Sequence, residues 1–470
     1  MNNAGADPRP APASQKHSIS VLFPIRGVIM FEQFINRKYK FTPDYYDRSA
    51  KTLNTALNQI PVYRSWKSFD PGTSFPIEAR FAAMPALTKK DIREHFPHDM
   101  LPRGQDFREA ITSGEIELVH SSGTIDDKIT NIWNQTWWNA SERASWKYNA
   151  HINKLVTGEH KEVILVNPKN VGIISDDKDL PMEKRRLGRF LFLNEKTDPL
   201  SWSPAYMDRM IAELNTFQPV VLEANPSYLA RLCRYITAHD IEAYQPGMII
   251  FTYEYPINLH YRQIRRVFSA PIASSYGSTE TGYVFMQCEQ GYFHQNSEFC
   301  RVDFQPFKPE HGGPLLGRIL VTPFNNPWNY IVRFDTGDIV HLEESGKCTC
   351  GRNSGLILSS LAGRKINLTL TCSGRLVTLL ELDNTISMLE GIDQYKLIQV
   401  DPRTYELHLV SQQTDKEKLS EEATTILRNL YGWDASITVI HDTDIPPEGS
   451  GKYLISRTLF PIELDNYLDL

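Results

Sequence analysis

A helix that crosses a membrane needs an apolar run of about 18 residues, and the 470-residue sequence has none. The most apolar segment, residues 21–31, is short and contains Pro24 and Arg26. The segment before it is rich in proline and alanine, unlike the basic region that begins a signal peptide. The sequence therefore predicts no membrane span and no secretion signal, and it favours a cytoplasmic location.

The sequence also has few cysteines and no excess of positive charge. Six cysteines in 470 residues are too few for a disulfide framework. Lysine and arginine total 50 against 56 aspartate and glutamate residues, which gives a net charge of −6. Because binding to a phosphate backbone requires clustered positive charge, we do not expect nucleic acid to be a partner.

The sequence does contain an ordinary globular composition, with 41% hydrophobic and 23% charged residues. A chain of this length exceeds a single hydrophobic core and predicts two or three domains. Residues 1–17 are polar and rich in proline and alanine, so they predict a disordered leader.

Strand-like and helix-like segments alternate through the middle of the chain. The apolar pattern predicts strands at 117–120, 162–166, 189–193, 220–223 and 248–252. Helical patterns lie among them at 205–214, 227–238 and 258–268. Such alternation predicts an α/β fold with a largely parallel sheet.

The pattern changes after Gly363. Beyond it the sequence predicts two helices, a hairpin and a last strand, at 377–389, 415–431, 395–410 and 436–440. These elements amount to a compact α+β unit of about 100 residues. We therefore expect a large N-terminal α/β domain over residues 18–364 and a small, mobile α+β domain over residues 365–470.

Four segments contain residue types suited to nucleotide chemistry. Gly277 allows a tight turn, the Thr279 hydroxyl can donate to a phosphate, and the Glu280 carboxylate is a ligand that Mg²⁺ prefers. Asp338 can accept hydrogen bonds from the two hydroxyls of a ribose. The segments are Val-His-Ser-Ser-Gly-Thr at 119–124, Ser-Ser-Tyr-Gly-Ser-Thr-Glu at 274–280, Arg-Phe-Asp-Thr-Gly-Asp at 333–338 and Pro-Pro-Glu-Gly-Ser-Gly-Lys at 446–452.

In this order and spacing, the four segments resemble the signature motifs of the adenylate-forming superfamily. That superfamily comprises acyl- and aryl-CoA ligases, peptide-synthetase adenylation domains and luciferases. Further segments are similar to the phenylacetate–CoA ligase branch: Ile-Pro-Val-Tyr-Arg at 60–64, residues 84–93, Asn-Pro-Ser-Tyr-Leu at 225–229 and Cys-Thr-Cys-Gly-Arg at 348–352.

The resemblance implies a two-step reaction. A carboxylate attacks the α-phosphorus of Mg-ATP to give an acyl-adenylate, and a thiol, usually that of coenzyme A, then displaces AMP to give a thioester. Lys452 would be catalytic, Glu280 would hold Mg²⁺, and the C-terminal domain would rotate between the steps about a hinge after Gly363-Arg364. The same resemblance assigns the other nucleotide contacts to Ser121, Ser122, Gly123 and Thr124 for the β- and γ-phosphates, Ser275, Tyr276 and Gly277 for the adenine, Thr279 for the α-phosphate, Asp338 for the ribose, and Arg364.

Two alternatives to a carboxylate–CoA ligase stay open. The first is an adenylating enzyme that loads the phosphopantetheine arm of a separate carrier protein. The second is a non-catalytic nucleotide-binding protein, because the phosphate loop continues with Asp126 and Asp127, and Ile366 occupies a hinge position that usually holds Asp or Lys. The expected partners are a small carboxylic acid and, as open alternatives, a carrier protein or a second copy of the chain.

A zinc site is a separate expectation. Cys288, His294, Cys348 and Cys350 supply three thiolates and one imidazole, a set that binds Zn²⁺ tetrahedrally. On spacing alone, scattered reduced cysteines remain the alternative. Members of the resembled branch carry a Cys…His…Cys-x-Cys set at matching positions, which implies a structural zinc with no open coordination position.

Tryptophans are concentrated just after the phosphate loop. Trp133, Trp137 and Trp138 fall at helical spacing and predict core positions, with Trp146 in the same helix. A less favoured alternative places one of them, or Tyr148, in the wall of a pocket for an aryl acid.

Overall fold

The computed structural model describes residues 35, 37–120, 129–156 and 158–469. The predicted leader therefore lies outside the described residues, as does the central part of the phosphate loop. Eleven α-helices lie in the described part of the chain: α1 Pro43–Gln59, α2 Ile77–Ala83, α3 Lys89–His95, α4 Phe107–Thr112, α5 Gln135–Trp146, α6 Ala150–Leu155, α7 Pro204–Phe217, α8 Pro226–Ala238, α9 Asn258–Arg265, α10 Leu379–Ile386 and α11 Lys416–Tyr431.

The strands of the described residues form one large sheet and three smaller ones. Those up to the end of the large sheet are β1 Glu117–His120, β2 Thr130–Trp133, β3 Glu162–Leu165, β4 Arg186–Leu187, β5 Phe190–Phe192, β6 Val221–Ala224, β7 Met248–Phe251, β8 Ile272–Ser278, β9 Gly282–Gln287, β10 Phe293–Gln295, β11 Cys300–Pro306, β12 Leu316–Pro323, β13 Phe334–Leu342 and β14 Ile357–Arg364. The remaining strands are β15 Thr369–Leu370, β16 Leu376–Val377, β17 Ile392–Asp401, β18 Thr404–Ser411, β19 Ser436–His441 and β20 Ser456–Thr458.

The large sheet has twelve strands in the order β11-β12-β13-β14-β10-β9-β8-β7-β6-β3-β5-β4. Pairing is parallel from β5 through β3, β6 and β7 to β8, and the helices α7, α8 and α9 occupy the connections that precede β6, β7 and β8. The mixed α/β class is confirmed. The expectation of a largely parallel sheet is wrong for the whole, because the strands from β8 onward pair antiparallel through connections without such crossover helices.

The elements after β14 form further, smaller sheets, and we call residues 365–458 the C-terminal lobe. Its four-stranded sheet has the order β19-β18-β17-β20, and the predicted hairpin is the antiparallel pair β17–β18. The buried face of α11 places Leu419, Ala423 and Leu427 against this sheet. Gly432 caps that helix with φ of 114°, which confirms its predicted end.

The lobe packs on the large unit through α9 and α10. Ile257 and Leu259, at the start of α9, belong to the same apolar cluster as Leu379 and Leu382 of α10. The carboxylate of Asp383 accepts the first backbone N–H of α9, from Asn258, at 2.8 Å. These contacts join the two units at the carboxyl end of the parallel strands.

The chain returns to the large sheet after β20. Leu464 and Leu468 pack in one cluster with Phe307, and Leu468 forms an isolated antiparallel bridge with Phe307. The backbone N–H of Asp469 donates to the carbonyl of Pro306 at 2.9 Å. The C-terminal lobe is therefore attached to the large sheet both where it begins, after Arg364, and where it ends.

Local predictions are confirmed in part. Thr88 and Asp91 form a capping box at the start of α3. Trp137 is buried in α5 and Trp146 lies in the same helix, as predicted, whereas Trp138 is only half-buried. Trp133 belongs to β2, so it does not share their helix; its ring lies 4.1 Å from that of Trp138. In the described part of the chain, no helix combines the length and the apolarity that a bilayer crossing demands.

We expect Leu427→Ala to lower the free energy of unfolding by about 2–5 kcal/mol, because Leu427 is fully buried between α11 and the sheet of the C-terminal lobe. Leu459→Ala is the control, since Leu459 is 56% exposed and its loss should change stability by about 0.5 kcal/mol or less. Urea unfolding followed by circular dichroism measures both. Equal midpoints for the two variants would contradict the packing described for α11.

Candidate functional site

The turn between β8 and β9 carries Thr279 and Glu280. The chain reverses there so closely that a Cβ at Gly277 would lie 2.3 Å from the carbonyl oxygen of Gly282. Glycine is therefore required at position 277 by close backbone approach, as the sequence indicated. The Thr279 hydroxyl donates to the Glu280 carboxylate at 3.1 Å, and Glu280 is only 4% exposed.

The strand that follows residues 121–128 contacts this turn. The strands that flank the phosphate loop, β1 and β2, pair antiparallel, with His120 opposite Thr130. The amide of Asn131, in β2, donates to the Thr279 hydroxyl at 3.4 Å. Ser121, Ser122, Gly123 and Thr124 themselves lie outside the described residues.

Asp338 is held by two predicted nucleotide-binding residues. The Tyr276 hydroxyl donates to one carboxylate oxygen of Asp338 at 2.7 Å, and Nε of Arg364 lies 3.2 Å from the other. Asp338 and Arg364 are partners in the β13–β14 register. Burial and the charge of Asp338 raise the pKa of Tyr276 well above its usual value, so the phenol stays protonated and remains a donor.

Lys452 lies on a loop of the C-terminal lobe that docks on the large unit. Nζ of Lys169 donates to the carbonyl of Gly449 at 3.3 Å, and the Tyr228 hydroxyl donates to the carbonyl of Gly451 at 3.2 Å. Gly451 has φ of +80°, and a Cβ there would lie 1.8 Å from Nδ2 of Asn167. The glycines of this loop thus permit its close approach to the segment after β3.

The docked loop brings the Lys452 ammonium into the electrostatic environment of the other motifs. Burial, followed by repulsion from Arg364, lowers the pKa of Lys452 to about 8. The carboxylates of Glu254, Asp338 and Glu280 act in the opposite direction and favour the charged form. The structure therefore brings together three of the four predicted segments, those that end in Glu280, Asp338 and Lys452.

Sequence reasoning missed a small buried cavity on the sheet face that α5 covers. Its lining includes the carboxylates of Glu142, Glu162 and Glu223, and the Tyr283 hydroxyl donates to Glu142 at 2.8 Å. Burial and the charge of Glu162 raise the pKa of Glu142 to about 7. Ser275 also lines the cavity, and its buried hydroxyl has no hydrogen-bond partner among the described residues.

No sequence signal marks this cavity. The three carboxylates come from a helix and two strands that are distant in the sequence, and only the fold brings them together. Trp146 lines it too, whereas the ring of Tyr148 lies parallel to that of His294 at 5.9 Å. Of these two aromatic candidates for a pocket wall, only Trp146 contributes to this cavity.

The four predicted zinc ligands converge. One possible ligand atom from each of Cys288, His294, Cys348 and Cys350 lies within 4.8 Å of all the others. Sγ of Cys288 is 3.8 Å from Sγ of Cys348, and Sγ of Cys350 is 3.3 Å from Nε2 of His294. Three thiols and one imidazole at this spacing fit a tetrahedral Zn²⁺ ion.

Comparison with curated proteins gives a distant, partial match. Protein CapK of Staphylococcus aureus is 23% identical over 245 residues, which cover 52% of this chain and 53% of CapK. The chain thus matches about half the length of this curated relative. No protein-family model matches the chain.

Solved structures of 2-hydroxyisobutyryl-CoA ligase are similar over nearly the whole chain. The postadenylation state in complex with R3-HIB-AMP gives a TM-score of 0.65 at 14% identity and covers 90% of each chain. The open conformation with 2-HIB-AMP and CoA gives 0.54 at 15% identity and covers 89% of this chain and 90% of that one. The thioesterification state with the same ligands gives 0.52 at 15% identity and covers 90% and 92%.

We expect Gly451→Ala to displace the Lys452 loop, because the new methyl group would collide with Asn167 and alanine disfavours a φ of +80°. Gly449→Ala is the matched control, since an added Cβ there has no neighbouring atom within 4 Å. Hydrogen exchange of the peptide spanning residues 449–455 should speed up in the first variant only. Unchanged exchange in Gly451→Ala would mean that the loop is not docked at Asn167.

Proposed function

The chain has the fold of the adenylate-forming enzymes, and from this premise we propose that it activates a carboxylic acid with ATP and transfers the acyl group to a thiol. The observation that carries the proposal is the docked loop, which brings Lys452 of the C-terminal lobe into the electrostatic environment of Glu280 and Asp338. A lysine that reaches from the C-terminal lobe into the large unit suits a reaction between two anions, because its positive charge can offset their repulsion.

In the first step, one oxygen of the acid attacks the α-phosphorus of ATP, and pyrophosphate leaves. Both reactants are anionic, so the main requirement is stabilisation of negative charge around the transferred phosphoryl group. We assign that role to the ammonium of Lys452, a compact point charge on a flexible stem. We assign donation to the α-phosphate to the Thr279 hydroxyl, which donates to the Glu280 carboxylate in this structure.

Nucleotide recognition falls to the pair formed by Tyr276 and Asp338. We propose that the Tyr276 ring packs on the adenine, while Asp338 accepts the ribose hydroxyls and Arg364 keeps that carboxylate oriented. The residues also fit a divalent cation, because Glu280 offers a buried hard carboxylate next to a hydroxyl. Mg²⁺ held by Glu280 would supply further positive charge to the polyphosphate.

In the second step, a thiol attacks the acyl carbon and AMP leaves. We propose coenzyme A as the thiol, with the phosphopantetheine arm of a carrier protein as the alternative. The acid would lie toward the cavity at Ser275, the residue directly before Tyr276. The buried hydroxyl of Ser275 has no hydrogen-bond partner among the described residues, so it is available to the acid.

We also propose that the C-terminal lobe turns between the two steps at the segment after Gly363-Arg364. Similarity to the solved ligase supports this, because the TM-score is higher for the postadenylation state than for the thioesterification state, 0.65 against 0.52. The present arrangement would then be the one used for adenylation. The 3₁₀ turn Lys365–Asn367, in which Ile366 is 50% exposed, lies at the proposed hinge.

The non-catalytic alternative is less favoured by the docked loop. Burying an ammonium costs free energy, and a protein that only bound nucleotide would have no use for that cost. The departures at Asp126 and Asp127 fall outside the described residues, and Ile366 points to an altered hinge rather than to a lost site.

For the cysteine cluster we propose a structural Zn²⁺ ion. Its four protein ligands would leave no open position for chemistry. Cys288 and His294 flank the β9–β10 turn, while Cys348 and Cys350 lie between β13 and β14, so the ion would tie two segments of the large sheet together.

We expect Lys452→Ala to slow acyl-adenylate formation by about 10²- to 10³-fold, the usual cost of removing one preorganised group that stabilises developing charge. Thioester formation from a supplied acyl-adenylate should change much less, because the lobe would have turned away by then. Pyrophosphate exchange and thioester formation, each measured across a panel of acids, separate the two steps. Lys418→Ala, on the exposed face of α11, is the control and should leave both unchanged.

An equal loss in both steps for Lys452→Ala would contradict the two-conformation mechanism. A wild-type chain that binds ATP yet shows no exchange with any acid would favour the non-catalytic alternative instead.

Metal analysis of protein purified without chelator should find about one Zn²⁺ per chain, and the double variant Cys348→Ser/Cys350→Ser should lose it together with stability. Cys372→Ser is the control, because Cys372 lies in the C-terminal lobe beside α11, outside the cluster. A fully stable wild-type protein without metal would refute the zinc proposal.

A further inference from the structure

Glu254 connects the parallel sheet to the Lys452 loop, and the four sequence motifs do not include it. It follows β7 by three positions, at the carboxyl end of the parallel strands. One of its carboxylate oxygens accepts the backbone N–H of Tyr453, the residue directly after Lys452. The other accepts the hydroxyl of Ser227, in the first turn of α8.

The two ends of this bridge differ in rigidity. Ser227 is fixed, because its backbone N–H donates to the N-cap side chain of Asn225 at 2.9 Å and the helix that it begins is buried in the large core. Tyr453 belongs to a loop whose own turn is closed by hydrogen bonds between Glu448 and its neighbours Gly451 and Lys452. The carboxylate therefore connects a fixed helix to a preformed loop.

Glu254 also acts on the ammonium through its charge. It is one of the three carboxylates that favour the protonated form of Lys452, and Lys452 in turn stabilises the ionised form of Glu254. Burial is the largest effect and raises the pKa of Glu254 to about 7, while the hydrogen bonds from Ser227 and Tyr453 and the charge of Lys452 favour the ionised form. The bridge and the charge on Lys452 thus stabilise one another.

In two other contacts, the large unit donates a hydrogen bond and the loop accepts it. Lys169 and Tyr228 each donate to a loop carbonyl, at Gly449 and Gly451. Those bonds hold the loop before Lys452, and Glu254 holds it just after. The backbone at Lys452 is therefore held on both sides, which sets the direction in which its side chain leaves the loop.

We propose that Glu254 is the positioning residue for Lys452: held by Ser227, its carboxylate fixes the loop backbone at Tyr453 and so directs the ammonium toward Glu280 and Asp338 when the lobe is docked. This inference rests on the proposed function. Glu254 acts through Lys452 and touches neither reacting group, so its loss should affect only the step that uses Lys452.

The test is a double-mutant cycle on the two half-reactions. Glu254→Ala should slow acyl-adenylate formation by about 10- to 100-fold, as expected for loss of a hydrogen bond to a charged group. It should leave thioester formation from a supplied acyl-adenylate nearly unchanged. Because its effect runs through Lys452, the double variant Glu254→Ala/Lys452→Ala should be no slower than Lys452→Ala alone.

Two further variants separate positioning from general damage. Glu254→Gln keeps one carbonyl oxygen that can accept from Tyr453, so it should recover part of the lost adenylation rate. Asp208→Asn removes a carboxylate that accepts a surface hydrogen bond from Tyr235 at 2.9 Å, and it should match the wild type. Multiplied losses in the double variant, or an equal loss in thioester formation, would overturn the proposal.

A second readout does not depend on activity. Hydrogen exchange of the peptide spanning residues 449–455 should speed up in Glu254→Ala and stay at the wild-type rate in Asp208→Asn. Unchanged exchange in Glu254→Ala would overturn the positioning role even in an active enzyme. A wild-type chain that forms no adenylate would end the proposed function, while faster exchange in Glu254→Ala would still support the placement of the loop by Glu254.

Discussion

The docking of the Lys452 loop against the large sheet is the contact on which the other features of the site depend. An ammonium taken out of water loses hydration free energy, and nearby negative charge must replace it. Glu254, Asp338 and Glu280 supply that charge from three separate parts of the large unit. The docked loop thus adds a cation to a site in which Arg364 already pairs with Asp338.

The fixed parts of the site come from the sheet, and the part proposed to move comes from a loop. Tyr276 lies in β8 and Asp338 in β13, two strands of the large sheet, and a 2.7 Å hydrogen bond joins their side chains. Side chains on strands keep their directions more precisely than side chains on loops. Lys452, by contrast, depends on glycines and on contacts across the boundary between the units, which suits a group that is needed in one step and not in the next.

Most of the chemistry-bearing residues could be predicted from the sequence, because each lies in a short motif with a turn or a strand end of its own. Glu280 and Asp338 are examples, and the resemblance implied the set that brings Cys288 together with Cys348. Glu254 and Asn167 could not be found in this way, since their importance arises only from contact with a loop about 200 or more residues later in the chain. The parallel character of the sheet was overestimated for a related reason: local patterns report strands, whereas their direction depends on connections, and those after β8 are turns.

The return of the chain to Phe307 after β20 limits how the C-terminal lobe can move. A body joined to its support at one point can turn in any direction, whereas a second, tethered contact limits how far it can turn. The segment after Arg364 is one such point, and the pairing of Leu468 with Phe307 is the other. Any turn of the lobe is therefore limited by the reach of residues 459–467, or it first detaches the last residues from the edge of the large sheet.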